Sequence, residues 1–345
     1  MMKKDDVLSE WNQSDEQVDK KSAKKLVWRT RLSISFTVLR TLLFIFLIYC
    51  LYMIPVSVYY DMSGKAAEFD RLVSTLVETR NPGIAVDKYG MRHSAEINPL
   101  LTQSTKATLY RNVGDYEVVV GEVTAKKWLF GSIRYKLDLN NKYLNEDSSS
   151  YIIAPDLLGK PISNDKSESE LMIANQLEKI EDGYVAQARF STRKGMSPQK
   201  LNELISEYDV TVHQMPVFGG ETTEVEVSYG RAGQFTFAQT LMLRPFMEYD
   251  NKNRPSASYH SLTGEEAIES SVKQFYKDIE WLIENGNYQE QDIDKQRLAY
   301  IKANDFQVFG AMVTGPIREI ERLLEEEMFH NFQLGGIEVW NWTEK

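Results

Sequence analysis

From Thr41 to Tyr60 the chain runs through TLLFIFLIYCLYMIPVSVYY, twenty residues without a charged side chain. At about 1.5 Å of rise per residue, a helix of that length spans roughly 30 Å, the thickness of a bilayer's hydrocarbon core. The pattern predicts a single transmembrane helix over 41–60. Downstream the spacing changes. Phe69, Leu72, Val73, Leu76 and Val77 recur at helical intervals within AAEFDRLVSTLVE, which predicts an amphipathic helix over 66–78, closed by Asn81-Pro82-Gly83. Ala107–Tyr110, Tyr116–Thr124 and Trp128–Leu139 are rich in β-branched and aromatic residues, with a turn over Asn112–Asp115, and read as a small strand-rich module. The polar stretches 145–150 and 159–170 read as exposed loops or a linker, and a helix over 167–178 precedes a soft boundary near residue 180.

From 181 onward one pattern occurs twice. Tyr184–Ser191 reads as a strand, Ser197-Pro198 opens a helix to Tyr208 with Ser as N-cap and Pro at the first helical position, and Val210–Phe218 reads as a strand. Phe306–Thr314, a helix over Ile317–Met328 and Phe332–Trp340 repeat that order. Two strand-helix-strand units are what a ferredoxin-like split sheet needs. Between them, Thr263–Glu266 (TGEE) has capping-box spacing ahead of a helix to Asn285, and a second helix covers 292–303, so 263–304 reads as a helical insertion. The expected fold class is α+β. The expected domains are an arm (1–40), a transmembrane helix (41–60), a stalk helix with a strand-rich module (61–180), and a ferredoxin-like sensor or interaction domain (181–345).

Charge adds an orientation. Residues 1–60 hold nine Lys/Arg and six Asp/Glu, while the remainder holds 31 and 44. Lys21, Lys24, Lys25, Arg29, Arg31 and Arg40 precede the apolar stretch with no acidic residue among them, so the positive-inside rule places the N-terminus in the cytoplasm and the long C-terminal part outside. A cleaved signal peptide fits less well, because its apolar region is shorter and ends at a small-x-small site. Trp28, Arg29, Arg31, Arg40, Tyr59 and Tyr60 are the expected contacts with the membrane interface and its lipid. In the arm, Val7, Leu8 and Trp11 can share one helical face and are the candidate partner-binding residues. The acidic body is a poor partner for nucleic acid.

Catalytic chemistry leaves little trace. His93, His213, His260 and His330 are scattered without a metal-ligand spacing, and Cys50, inside the apolar stretch, is the only cysteine. No nucleophile elbow, Walker loop or dinucleotide fingerprint occurs. The carboxylates Glu319, Glu321 and Glu325–Glu327 read as a solvated helix face, Gly219-Gly220 and Gly335-Gly336 as turns or bulges, and the sequon at Asn341 as a chance match. The reading is therefore of a non-enzyme without catalytic, cofactor or metal residues.

The runs YVAQARFSTRKGMSPQKLNELISEYDVTVHQMPVFGGE and FQVFGAMVTGPIREIERLL, with GGIEVWNW, resemble the C-terminal module of the sigma-factor regulator family. VWRTRLSISFTVLRTLLFIFLIYCLYMI is similar to its N-terminal module. That resemblance implies a membrane-anchored anti-sigma factor restraining an extracytoplasmic-function sigma factor in response to an envelope signal. Many anti-sigma factors carry a folded, often zinc-binding domain before the anchor. Here about 40 residues precede it, with no His before His93 and no Cys before Cys50, so the arm is expected to make a peptide-like contact or to act with a second membrane regulator. The competing classes are an extracytoplasmic scaffold for another membrane protein and an anchored cell-wall enzyme. The enzyme predicts a deep outer pocket with converging carboxylates or histidines.

Overall fold

The computed structural model describes residues 20–87, 95–128, 131–140, 151–162 and 168–343. The chain divides into two units, Met1–Tyr59 and Tyr60–Lys345. The described part of the first unit is helical, within α1 (Lys20–Met62), and Ser22–Met62 is long and apolar enough to cross a membrane. At about 65 Å, α1 is roughly twice as long as the apolar stretch requires. Residues 20–40 contain neither Gly nor Pro, so nothing in them interrupts the helix before the anchor. Thr30, Thr37 and Thr41 turn their hydroxyls back onto the carbonyls four residues earlier, which keeps these polar groups satisfied within the helix. Pro55 lies inside the helix without ending it.

The second unit is mixed helix and sheet. Gly64, at φ +77°, caps α2 (Lys65–Arg80), whose Phe69, Leu72, Val73, Leu76 and Val77 are all buried at the helical spacing read from the sequence. They share a core with Leu109, Val120, Val123 and Ala125 of the first sheet. That sheet has the order β1-β3-β4-β5, with β2 paired to β3; the strands are β1 (Ala85–Val86), β2 (Glu96–Ile97), β3 (Gln103–Val113), β4 (Tyr116–Lys127) and β5 (Arg134–Leu139). A helix, α3 (Glu168–Leu177), then leads to the second sheet.

The second sheet is antiparallel throughout. It is built from β6 (Tyr184–Met196), β7 (Thr211–Val217), β10 (Leu241–Leu243), β13 (Val308–Pro316) and β14 (Phe329–Val339), in the order β10-β7-β13-β6-β14. Helix α4 (Pro198–Ile205) joins β6 to β7, and α7 (Ile317–Leu323) joins β13 to β14. Ser197 caps α4 by accepting a hydrogen bond from Lys200 N at 3.2 Å, with Pro198 next. Two short hairpins, β8 (Tyr229–Ala232) with β9 (Phe235–Ala238) and β11 (Met247–Tyr249) with β12 (Pro255–Ser258), occupy the stretch between β7 and α5 (Glu265–Asn285). After α5 comes α6 (Gln291–Ala303).

Alternation gives the second sheet two chemically different faces. Along β6, Ala186, Ala188 and Phe190 join the core that also holds Leu201 and Ile205 of α4 and Ile317, Ile320 and Leu323 of α7. The intervening Gln187, Arg189 and Ser191 are polar. Gln187 Nε2 donates to Asn112 O in β3, and Ser191 Oγ accepts from Ile152 N. Thr314 on β13 accepts a hydrogen bond from Gly114 N, in the turn between β3 and β4. The first sheet's hairpin is thereby fixed to the polar face of the second.

Two local expectations fail for identifiable reasons. The Thr263 capping box does not form: Gly264 is the N-cap of α5, and Thr263 Oγ1 instead accepts from Val212 N at 3.3 Å. The expected helix over 317–328 ends at Leu323, because Phe329 begins a strand that pairs with Thr192 of β6. The Gly335-Gly336 pair does mark a bulge, since the β14–β6 register shifts between Leu334 and Ile337.

Candidate sensing cleft and its link to the helix after the membrane segment

The polar face of the second sheet forms one wall of a cleft of about 480 Å³. Gln187 from β6, His213 and Gln214 from β7, and Tyr110 and Asn112 from β3 line it, with Tyr259 and His260 following β12. The size is that of a small-molecule site. Asn112 Nδ2 lies 3.0 Å from His213 Nδ1, within hydrogen-bonding distance. Gln187 is 2% exposed, and its Oε1 accepts no hydrogen bond from the described residues. A buried acceptor left so costs about 1–3 kcal/mol.

Gln214 connects the cleft to α2. Its Oε1 accepts from Gly83 N at 2.6 Å, and its Nε2 donates to the carbonyls of Glu78 and Ile84, both at 3.4 Å. The C-terminal turn of α2 is thus part of the cleft wall, while the other end of α2 begins three residues after α1 ends.

Below the cleft, α2 is held by buried charge. Arg244, following β10, is paired with Glu78 of α2 and, at 2.7 Å, with Asp278 of α5. Burial pulls the Arg244 guanidinium down, but Tyr249, Asp278 and Glu78 outweigh that and hold it well above the ordinary arginine value. Arg71 of α2 reaches the other Asp278 oxygen at 3.3 Å, with its guanidinium 4.2 Å from the ring centre of Tyr249 and 3.9 Å from that of Trp281. A second chain of charges starts at Arg80, which pairs with Asp294 of α6. Asp294 meets Arg297 at 3.2 Å, and Arg297 meets Glu221 at 2.9 Å. Burial raises the Glu221 carboxyl, against the opposing pull of Arg297 and of the Gly219 N–H. Each of these charges would be costly to bury alone, so the networks fix where α2 can sit.

Comparison with known proteins gives this geometry its setting. The model described as "Sigma factor regulator N-terminal" matches residues 20–118, and that described as "Sigma factor regulator C-terminal" matches 177–336. The chain belongs to the sigma-factor regulator family. A relative in Bacillus subtilis (strain 168), "Probable anti-sigma-M factor YhdL", is 22% identical over 293 residues, covering 82% of this chain and 74% of that protein. No solved structure matches.

In this sigma-factor regulator the residues singled out from the sequence fall in different places. Val7, Leu8, Trp11 and His93 lie outside the described residues. Trp28, Arg29, Arg31, Arg40 and Tyr59 are exposed on α1. Tyr60 is 4% exposed and packs into the core of the second unit. His213 and His260 meet at the cleft, whereas His330 is buried at the start of β14 beside Thr192 O. Among the described residues, no group of three or more His, Cys, Asp or Glu is placed to hold a metal. Glu319 and Glu321 pair with Arg322 and Arg318 of their own helix. Asn341 is used by the fold: its Nδ2 donates to Val113 O, and its Oδ1 accepts from Asp115 N. The cleft and the charge networks were missed by sequence reasoning. Their residues come from segments tens to hundreds of positions apart, and only the polar alternation of Gln187, Arg189 and Ser191 hinted that this face of the sheet was not a plain core.

Proposed function

We propose that this sigma-factor regulator is an anti-sigma factor, anchored in the membrane by α1, that restrains an extracytoplasmic-function sigma factor in response to an envelope signal. The observation that carries the reading is the match of both family modules, at 20–118 and 177–336, to one chain with an apolar helix between a short basic arm and a large folded unit. The basic excess before the apolar stretch supports an N-terminus in the cytoplasm and a second unit outside. The arm, with Val7, Leu8 and Trp11, then holds the sigma factor directly or through a second membrane regulator.

The order β10-β7-β13-β6-β14, with helices within each strand-helix-strand unit, supports a ferredoxin-like split sheet extended by one edge strand. The output is regulatory and not catalytic. A ligand or partner engaging the cleft would act on α2 through Gln214 and the Glu78–Arg244 pair, because only differential binding to two states can transmit a signal. The test is a sigma-dependent reporter in a strain carrying the chain with residues 1–40 deleted. Derepression supports restraint by the arm, and an unchanged reporter rejects it.

A further inference from the structure

Tyr60 ends the uncharged stretch, and Gly64 lies four residues later, about 6 Å along a helix. The headgroup layer on each side of a bilayer's hydrocarbon core is about 5–7 Å deep, so the segment from Asp61 to Gly64 lies in it if α1 spans the membrane. The connection is tight. Gly64 N donates to Asp61 O, and Glu68 N donates to Gly64 O.

The β11–β12 hairpin packs at the same point. A Cβ on Gly64 would meet Lys252 O at 3.3 Å, and Arg71 Nη1 donates to Asn253 Oδ1 at 2.9 Å. Asp250 shapes the hairpin turn by accepting from the N–H groups of Lys252 and Arg254, both at 2.8 Å. Between hairpin and helix is a pocket of about 260 Å³. Met62, Ala66, Ala67 and Pro255 supply its apolar wall, Met62 being 71% exposed. Lys252 and Arg254 also line it, and neither forms an ion pair among the described residues. Of its two acids, Asp70 is engaged by Thr105 Oγ1 at 2.6 Å, and Asp61 lies at the α1 end.

We propose that this pocket holds an anionic phospholipid of the adjoining leaflet. The phosphate lies against Lys252 and Arg254, and the start of an acyl chain lies against Met62, Ala66 and Ala67. An apolar wall continuous with a membrane helix and edged by two cations matches a lipid at its phosphate level; a soluble anion would have no use for the apolar wall. The inference rests on α1 crossing the membrane. It makes the hairpin a reader of the bilayer surface, tied to α2 through Arg71.

The full chain in phosphatidylcholine nanodiscs containing a photoactivatable phosphatidylglycerol tests it. The expected result is labelling of peptides covering 62–67 and 249–255. It falls by about thirtyfold or more in Lys252→Glu/Arg254→Glu, on the scale of two basic residues at an anionic surface. It falls also in Ala67→Trp, which fills the pocket, while labelling of 41–60 stays constant in both variants. Labelling of 41–60 without the pocket overturns the pocket alone, and so does equal labelling by a phosphatidylcholine probe. Absence of label from 41–60 as well overturns the membrane reading and the pocket with it.

Discussion

Arg80, the last residue of α2, forms an ion pair with Asp294 in the first turn of α6, and the two side chains are 5% and 0% exposed. Removing Arg80 leaves Asp294 with Arg297 and the Tyr288 hydroxyl, so Arg80→Met is expected to destabilise the folded unit by about 1.5–3 kcal/mol, the cost of one charged hydrogen bond. Arg80→Met/Asp294→Leu should recover little of that loss, because removing Asp294 also takes a partner from buried Arg297 and from the Tyr288 hydroxyl. Denaturant unfolding of the full chain in detergent, followed by tryptophan fluorescence, measures both.

Arg244 joins Glu78 on α2 to Asp278 on α5. Arg244→Met should free the C-terminal turn of α2 from its anchor and uncouple the cleft from α2. The expected outcome is reporter output that no longer follows the inducing condition while the protein remains in the membrane fraction. A variant that is made at normal levels and still responds normally would remove Arg244 from the signalling route.

Gly114 sits at φ +62° in the turn between β3 and β4, and a Cβ there would lie 1.8 Å from Asn341 Oδ1 and 2.7 Å from Val185 Cγ2. Gly114→Ala therefore combines a left-handed backbone with overpacking, at a cost of about 2–4 kcal/mol. Adding Asn341→Ala should remove the contact with Oδ1 but leave the Val185 contact and the backbone strain, and it gives up the Asn341 hydrogen bonds to Val113 and Asp115. The melting temperature of the double variant should therefore stay well below that of the parent.

His330 is pushed down to about 4, first by burial and then by Arg193, against the hydrogen bond to Thr192 O, which favours the protonated form. Unfolded, the same imidazole titrates near 6.5. The unfolded chain therefore binds more protons in this window. Stability is fully present above about pH 6.5 and is lost as pH falls toward 4, by about 3 kcal/mol from this group. His330→Gln should flatten that part of the profile, which chemical denaturation at a series of pH values would report.

The elements with local signals were legible. Ser197-Pro198 marked the start of α4, and the apolar spacing from Phe69 to Val77 marked α2. Four strands of the second sheet, β6, β7, β13 and β14, lie where the sequence pattern placed them, while the three-residue β10 was not expected, and the bulge at Gly335-Gly336 was. The small hairpins between 229 and 258 did not, because strands of three or four residues carry too short a pattern to separate from loop. Thr263 shows the limit in another way: a side chain with capping spacing was taken by a backbone N–H fifty-one positions away. The cleft was least legible. His213 read as an ordinary structural residue, and only folding puts it beside Asn112, a residue a hundred and one positions earlier. Charge networks such as Arg297–Glu221 likewise have no periodicity to announce them.

The last described residues bear on how the chain is made. Trp342 Nε1 donates to Asp209 at 2.7 Å, and Thr343 donates to Asp115 from both its N–H and its hydroxyl, across 228 positions. The partners that close the turn between β3 and β4 are made more than two hundred residues after it. The second unit therefore cannot complete this seam until those residues have been made. Contacts of such separation are slow to form, and a chain cut before Asn341 would leave that seam unsewn.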